Sequence, residues 1–224
     1  MAESMPDSRS GDPGSKASIG RRVPAGAPEQ SLEKIIIVTG TPGVGKTVLG
    51  KLLAEETGSS FLSLGDLVRV QRLHKGFDRQ AGSYIIDQHA LERELRGYFA
   101  AHRENGVVFE THFVSSIVHQ TRGMVAIVLR LDPIVLARRL RARKWPKRKI
   151  WDNVEAEMID LSLHDSLKLL GKTRVYEIDA TGKTPRELVR EILRMLSRGK
   201  GWSLNSSSDW LERYDPVLLS RRIL

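Results

Sequence analysis

The sequence predicts a three-layer α/β fold: a five-stranded parallel sheet with helices on both faces. Three observations carry this. Five short apolar or β-branched runs alternate with segments of helical periodicity. The first run, Lys34-Ile35-Ile36-Ile37-Val38-Thr39, is apolar without alternation, as a strand buried on both faces should be. A glycine-rich stretch, Gly40-Thr41-Pro42-Gly43-Val44-Gly45-Lys46-Thr47, then joins it to the first helix.

That helix is predicted over 45–57, where Val48, Leu49, Leu52 and Leu53 fall at helical spacing and Gly58 stands where a C-terminal cap belongs. Phe61 to Leu64 is a second strand, followed by a helix from Asp66 to about Lys75. Asp87 caps the next helix, with Leu91, Leu95, Tyr98 and Phe99 on one side, and Asn105-Gly106 stops it. Val107-Val108-Phe109 and Met124 to Leu131 read as buried strands, and Pro133 opens a helix bearing Leu136 and Leu140. Asp152 or Asn153 is expected to cap a helix running to about Leu170. A last strand over Arg174 to Ile178 and a last helix from Pro185 to about Ser197 complete the alternation.

With 224 residues the chain has enough length for one full-sized core. The expected organisation is a disordered tail over 1–32, rich in Ser, Gly, Pro and Ala, a catalytic domain over 33–198, and an extension over 199–224 carrying Trp202, Trp210, Leu211, Tyr214, Val217 and Leu218. This extension either packs on the domain or binds a partner. No apolar run approaches the roughly 18 residues of a membrane span, and no membrane partner is expected. The absence of cysteine excludes disulfides and thiolate metal sites and fits a reducing, cytoplasmic setting. A net charge of +9 suits polyanionic partners or a merely soluble surface.

Gly40, Gly45, Lys46 and Thr47 match GxxxxGK[ST] between a predicted strand and helix, the context the phosphate-binding loop requires. Glycines let backbone N–H groups wrap phosphate oxygens, Lys46 neutralises charge toward the β/γ end, and the Thr47 hydroxyl suits Mg²⁺. The alternative is a glycine turn with a solvated lysine. Glu110, at the end of the strand Val107-Val108-Phe109, is placed to support the metal, or is simply an exposed strand-end glutamate. His112, two residues on, points to the same side if the chain stays extended, but a lone histidine is also often structural.

Eight of the twelve residues from Arg138 to Lys149 are basic. This density reads as a mobile flap over transferring phosphate, as an RNA-contacting patch, or as a solvated helix end. Asp179 to Pro185 links the last strand to the last helix at the sheet's carboxyl edge, where its backbone either meets a purine base or makes an ordinary turn. Asp179 to Gly182 also fits DxxG, but it comes late in the chain and no NKxD accompanies it, which disfavours a signalling GTPase.

Over about residues 34 to 198 the sequence resembles the adenylate kinases of the archaeal and eukaryotic nuclear type (isoenzyme 6), a branch of the P-loop nucleoside-monophosphate kinases that also assists small-ribosomal-subunit maturation. The loop Gly40 to Thr47, Gly65-Asp66-Leu67, Glu110-Thr111-His112, and Arg139-Leu140-x-x-Arg143 through Asp152-Asn153 carry the likeness. The resemblance implies that Gly43, Gly45, Lys46, Thr47 and the Val48 backbone bind ATP phosphates and that Arg143, in a lid of about 142–152, contacts the nucleotide. It implies that Asp66 and Arg69, in a monophosphate-binding segment of about 66–90, hold AMP, and that Glu110 and His112 support Mg²⁺, water and ATP hydrolysis. Many members carry aspartate where this chain has Glu110.

The resulting expectation is Mg²⁺-dependent transfer between ATP and AMP by a monomer or weak dimer, with Lys46, Glu110, His112 and Arg143 catalytic. The rival is an ATP-driven assembly factor for a small-subunit ribosomal protein and rRNA. A pure nucleic-acid-binding module is the third and least favoured reading.

Overall fold

The computed structural model describes residues 35–78, 83–112, 114–117, 123–198 and 209–224. The expected tail over 1–32, and Trp202 with the joint around it, lie outside the described residues. Five parallel strands form the sheet in the order β2-β5-β1-β6-β7: β1 (Ile35–Thr39), β2 (Ser60–Ser63), β5 (Val107–Glu110), β6 (Met124–Arg130) and β7 (Val175–Asp179). Two further strands, β3 (His74–Asp78) and β4 (Ser83–Ile86), pair antiparallel in a separate hairpin.

The alternation of side chains along β1 divides the core in two. Ile36 and Val38 face one layer with α1 (Lys46–Thr57), α4 (Pro133–Ala142), α5 (Lys147–Met158) and α7 (Pro185–Ser197). Ile37 faces the other, with α2 (Leu64–Val70), α3 (Gln88–Ala101) and α6 (Leu161–Leu170). Covered on both sides, the strands need no polar face, which is why β6 is buried along its whole length.

The terminal signals hold at several ends. Gly58, at φ 66°, closes α1 by donating to the carbonyls of Ala54 and Glu55. The Asp87 carboxylate accepts from the Ala90 N–H, and Thr184 with Glu187 forms a reciprocal capping box on α7 behind Pro185.

Two expected helices are corrected. The helix anticipated from Asp66 to Lys75 starts earlier, at Leu64, and ends at Val70; the chain then enters the β3–β4 hairpin, where Phe77 packs edge-on against Tyr84. The helix anticipated from Asp152 or Asn153 to Leu170 is two helices. α5 already begins at Lys147, behind Pro146, and breaks before Asp160, which adopts a left-handed φ of 57°. The cause lies outside the segment. Arg130 donates through Nη2 to the Glu157 carbonyl at 2.9 Å and pairs with the Asp160 carboxylate, satisfying the C-terminal end of α5 and holding the turn.

Of the expected extension, the described residues 209–224 pack on α5. α8 (Trp210–Arg213) and α9 (Pro216–Ile223) lie against α5, with Trp210 fully buried in the same layer as Ile150, Trp151 and Val154. Tyr214 donates to the Asp132 carboxylate, and Lys147 Nζ donates to the Leu224 main-chain oxygen at 2.7 Å. Among the described residues no helix is long and apolar enough to cross a membrane.

Candidate active site

The phosphate-loop segment leaves the carboxyl end of β1, the central strand, and runs into α1. Its conformation requires glycine. Gly40 has a φ of 137°, and a Cβ there would run into the Leu129 carbonyl; at Gly43 a Cβ would stand 2.7 Å from Leu140 Cδ2. Gly45, at the N-terminal cap of α1, has no side chain to take up the N–H groups of that helix's first turn. Lys46 folds back over the loop, its Nζ donating to the carbonyls of Gly40 at 2.8 Å and Thr41 at 3.2 Å. Burial lowers its pKa to about 8, against the opposing pull of Glu110 and Glu157, while Arg143 lowers it further. Thr47 and Val48 are exposed at the start of α1.

Parallel pairing aligns Glu110 with Val38 of β1 and Ser63 of β2, at the same sheet edge as the loop. Its Oε2 accepts from Ser63 Oγ at 2.7 Å. Beyond it, Thr111 N–H donates to the Val38 carbonyl at 3.1 Å, which keeps the chain beside β1. Part of His112 reaches solvent, yet desolvation of the rest, followed by the Lys46 charge, lowers its pKa to about 4, so the ring is neutral at pH 7. Glu110, His112 and Arg143 each therefore lie within electrostatic reach of Lys46.

The donors at this edge are hard oxygens: the exposed Thr47 hydroxyl and the Glu110 carboxylate. Among the described residues no group of three or more His, Cys, Asp and Glu side chains stands together as a metal cage. One hydroxyl and one carboxylate fit Mg²⁺, which keeps waters and phosphate oxygens as its remaining ligands.

The basic segment is partly committed. Arg139 donates through Nη1 to the Val44 carbonyl at 2.9 Å, bracing the loop from α4. Arg148 pairs with Asp152 at 3.0 Å, Lys149 lies 4.8 Å from the Trp145 ring centre, and Lys147 holds the chain's last residue. Arg138, Arg141, Arg143 and Lys144 remain exposed, with no ion pair among the described residues. Three cations in the first turn of α5 oppose its helix dipole, an arrangement that an incoming anion relieves.

Asp66 and Arg69 pair with each other at 2.7 Å on the exposed surface of α2. In the turn after β7, Thr181 N–H donates to Asp179 at 2.8 Å and Thr181 Oγ1 accepts from Asp132 N–H at 2.9 Å, so much of its polar capacity serves the fold.

A buried cluster escaped the sequence reading. Arg130, a charged residue in the run Met124 to Leu131, meets three carboxyl groups: Glu157 Oε1 at 2.9 Å, Glu177 Oε1 at 2.6 Å, and Asp160. Burial works against its charge, but these carboxylates outweigh it and raise its pKa. Glu157 also accepts from Leu131 N–H at 3.0 Å and, through Oε2, from Thr41 Oγ1 at 2.5 Å. The available signal was a charged residue inside an otherwise apolar strand, which demands a buried partner.

Residues 36–160 match the family model described as an AAA domain. A protein of Thermococcus onnurineus named "Putative adenylate kinase" is 38% identical over 185 residues, covering 82% of this chain and 95% of its own. One of the same name in Methanocaldococcus jannaschii is 31% identical over 179 residues, covering 80% and 94%. The chain belongs to this adenylate kinase family, within the P-loop kinases. The fold of this P-loop kinase is shared with shikimate kinase from Acinetobacter baumannii, at a TM-score of 0.52 and 18% identity over 75% of this chain and 94% of that one.

Proposed function

We propose that this P-loop kinase is an adenylate kinase, transferring the γ-phosphoryl group of Mg²⁺-bound ATP to a phosphate oxygen of AMP so that each nucleotide becomes ADP. The observation that carries this is the glycine loop beside Lys46, Glu110 and Arg143, in a chain whose relatives bear that name over nearly their full length. Little covalent chemistry falls to the protein, so catalysis is positioning and charge neutralisation. The N–H groups of Gly43, Gly45, Lys46, Thr47 and Val48 receive ATP phosphates, and Lys46 leaves its loop carbonyls for phosphate oxygen. Arg143 balances charge on the transferring group from the segment 142–152, which acts as lid. Asp66 and Arg69 open their mutual pair to take AMP within the segment 66–90. Mg²⁺, held by Thr47 and Glu110, would neutralise charge between the phosphates. Neutral His112 is a proton acceptor for water, which accounts for a side activity of ATP hydrolysis.

On this reading residues 33–198 are the kinase domain and 199–224 an appended extension, in a cytoplasmic protein that is a monomer or weak dimer. The test is ADP formation from ATP plus AMP. Turnover that is lost in Lys46→Ala is expected; equal ADP formation by both proteins, or none by either, overturns the reading.

A second role, ATP-driven handling of a small-subunit ribosomal protein or rRNA during subunit maturation, is favoured by the exposed cations Arg138, Arg141, Arg143 and Lys144. Pull-downs from extract with and without ATP decide it. A ribosomal partner released by ATP supports the role; absence of any such partner under both conditions removes it.

A further inference from the structure

We infer that Glu157 is a positioning residue for the phosphate loop, joining the helix behind the basic segment to the site of Lys46 through Thr41. The inference rests on the loop being the ATP-binding half of the site, as proposed above.

Three observations support it. First, Thr41 is two-sided: its hydroxyl donates to Glu157 Oε2 at 2.5 Å, while its carbonyl accepts from Lys46 Nζ at 3.2 Å. One residue of the loop thus ties the ammonium to α5. Second, the tie is dry. Thr41 and Glu157 are 3% and 2% exposed, so water cannot substitute for the hydroxyl if the two separate. Third, Glu157 is itself fixed. Arg130 Nε at 2.9 Å and Leu131 N–H at 3.0 Å hold its other oxygen, and Arg130 Nη2 holds its carbonyl, so the carboxylate has one available position.

The basic residues Lys147, Arg148 and Lys149 form the first turn of the same helix that carries Glu157 near its end. Ten residue steps of helix separate Lys147 from Glu157, about 15 Å of stiff rod. Because Arg130 and Leu131 hold Glu157 at one end of this rod, the cations at its other end stand on the same rigid support that anchors Thr41 and the lysine-holding carbonyl. This fixes the placement of Lys46 relative to the basic segment without any direct contact between Glu157 and substrate. The carboxylate is needed for geometry rather than for proton transfer, and three of its roughly four lone-pair sites are taken by Arg130, Leu131 and Thr41.

The most direct test removes the hydroxyl from the loop and leaves the buried ion pairs alone. Thr41→Val, Thr41→Ala and Thr41→Ser are compared with wild type in the full chain. The readouts are urea denaturation, affinity for a fluorescent ATP analogue, and kcat and KM for ATP at saturating AMP. Thr41→Val is expected to lower kcat/KM for ATP about 10- to 100-fold, mostly through kcat, at an unchanged KM for AMP. Thr41→Ser, which keeps the hydroxyl, restores most of that loss. Should the Val variant not fold, the contrast between Ser and Ala reads the same contact. ATP kinetics of Thr41→Val or Thr41→Ala equal to wild type in a folded protein overturn the inference, as does an equal loss in Thr41→Ser. A wild-type chain that fails to bind the analogue instead overturns the ATP-site reading beneath it.

Discussion

The two sides of the proposed nucleotide site are built on opposite principles. On the loop side, Thr41, Arg130, Glu157 and Glu177 are buried and joined by hydrogen bonds that cross three elements of the fold. On the side of α2 and the hairpin, the ion pair of Asp66 and Arg69 is open to solvent, and Val70, Phe77, Tyr84 and Ile85 are exposed. A two-stranded hairpin outside the main sheet has little to hold it in one place. The contrast teaches that the phosphate-donor side is set before a nucleotide arrives, whereas the acceptor side has apolar surface left over for something to cover.

The largest break of this contrast should come from Arg130→Ala. Three carboxyl groups would lose their cation, and removing one member of a buried charge cluster costs about 3–5 kcal/mol. Urea denaturation measures it, and Asp66→Ala on the other side should cost no more than about 1 kcal/mol. A comparable loss from both would erase the distinction.

Next, Lys46→Met should reduce kcat/KM for ATP by about 10²–10³-fold, the scale of a lost charge-stabilising donor. Arg69→Ala is expected to raise KM for AMP while leaving KM for ATP near wild type. Steady-state kinetics with each substrate varied separates the two. If Arg69→Ala raised both constants equally, the division into two halves would not hold.

Smaller still is Phe77→Ser. The residue is 53% exposed, so global stability should change by less than about 1 kcal/mol. Hydrogen exchange sharpens the point: amides of β3 and β4 should exchange well before those of β1 and β6, through local opening of the hairpin.

The mildest effect concerns pH. Lys46 has a folded pKa of about 8, below its ordinary 10.5. Between these values the unfolded chain holds the proton that the folded chain has released, so the ligand-free protein should gain stability as pH rises from 8 to 10.5. Lys46→Met should lack this gain in pH-dependent melting. ATP binding runs the other way, because phosphate favours the charged lysine: affinity should fall as pH passes 8.

The legible parts of the sequence were those whose cause is local. The run Ile35 to Thr39 declares a strand buried on both faces, and Gly58, Asp87 and Pro185 act on backbone groups a few residues away. The glycine loop was readable for the same reason. The hairpin was not, because Lys75, Gly76 and Asp78 interrupt the apolar alternation of β3 and only four residues form β4. Nor was the end of α5. Asp160 turns there because of Arg130, thirty residues earlier in the chain, and no periodicity within 147–170 records that. The Thr41–Glu157 contact spans 116 residues and falls in the same class. It needs the order of the strands before it can be seen at all.

Trp210 offers an optical consequence. Its indole is wholly buried, with Nε1 among the buried atoms that lack a hydrogen-bond partner, Arg213 5.3 Å from the ring centre and Tyr214 ring-to-ring at 6.5 Å. Such a ring emits toward the blue and shifts red when water reaches it. It rests on α5, the helix that bears Glu157. With Trp145, Trp151 and Trp202 changed to Phe, one built-in fluorophore would report, in real time, whether residues 209–224 stay seated on that helix when nucleotide is added.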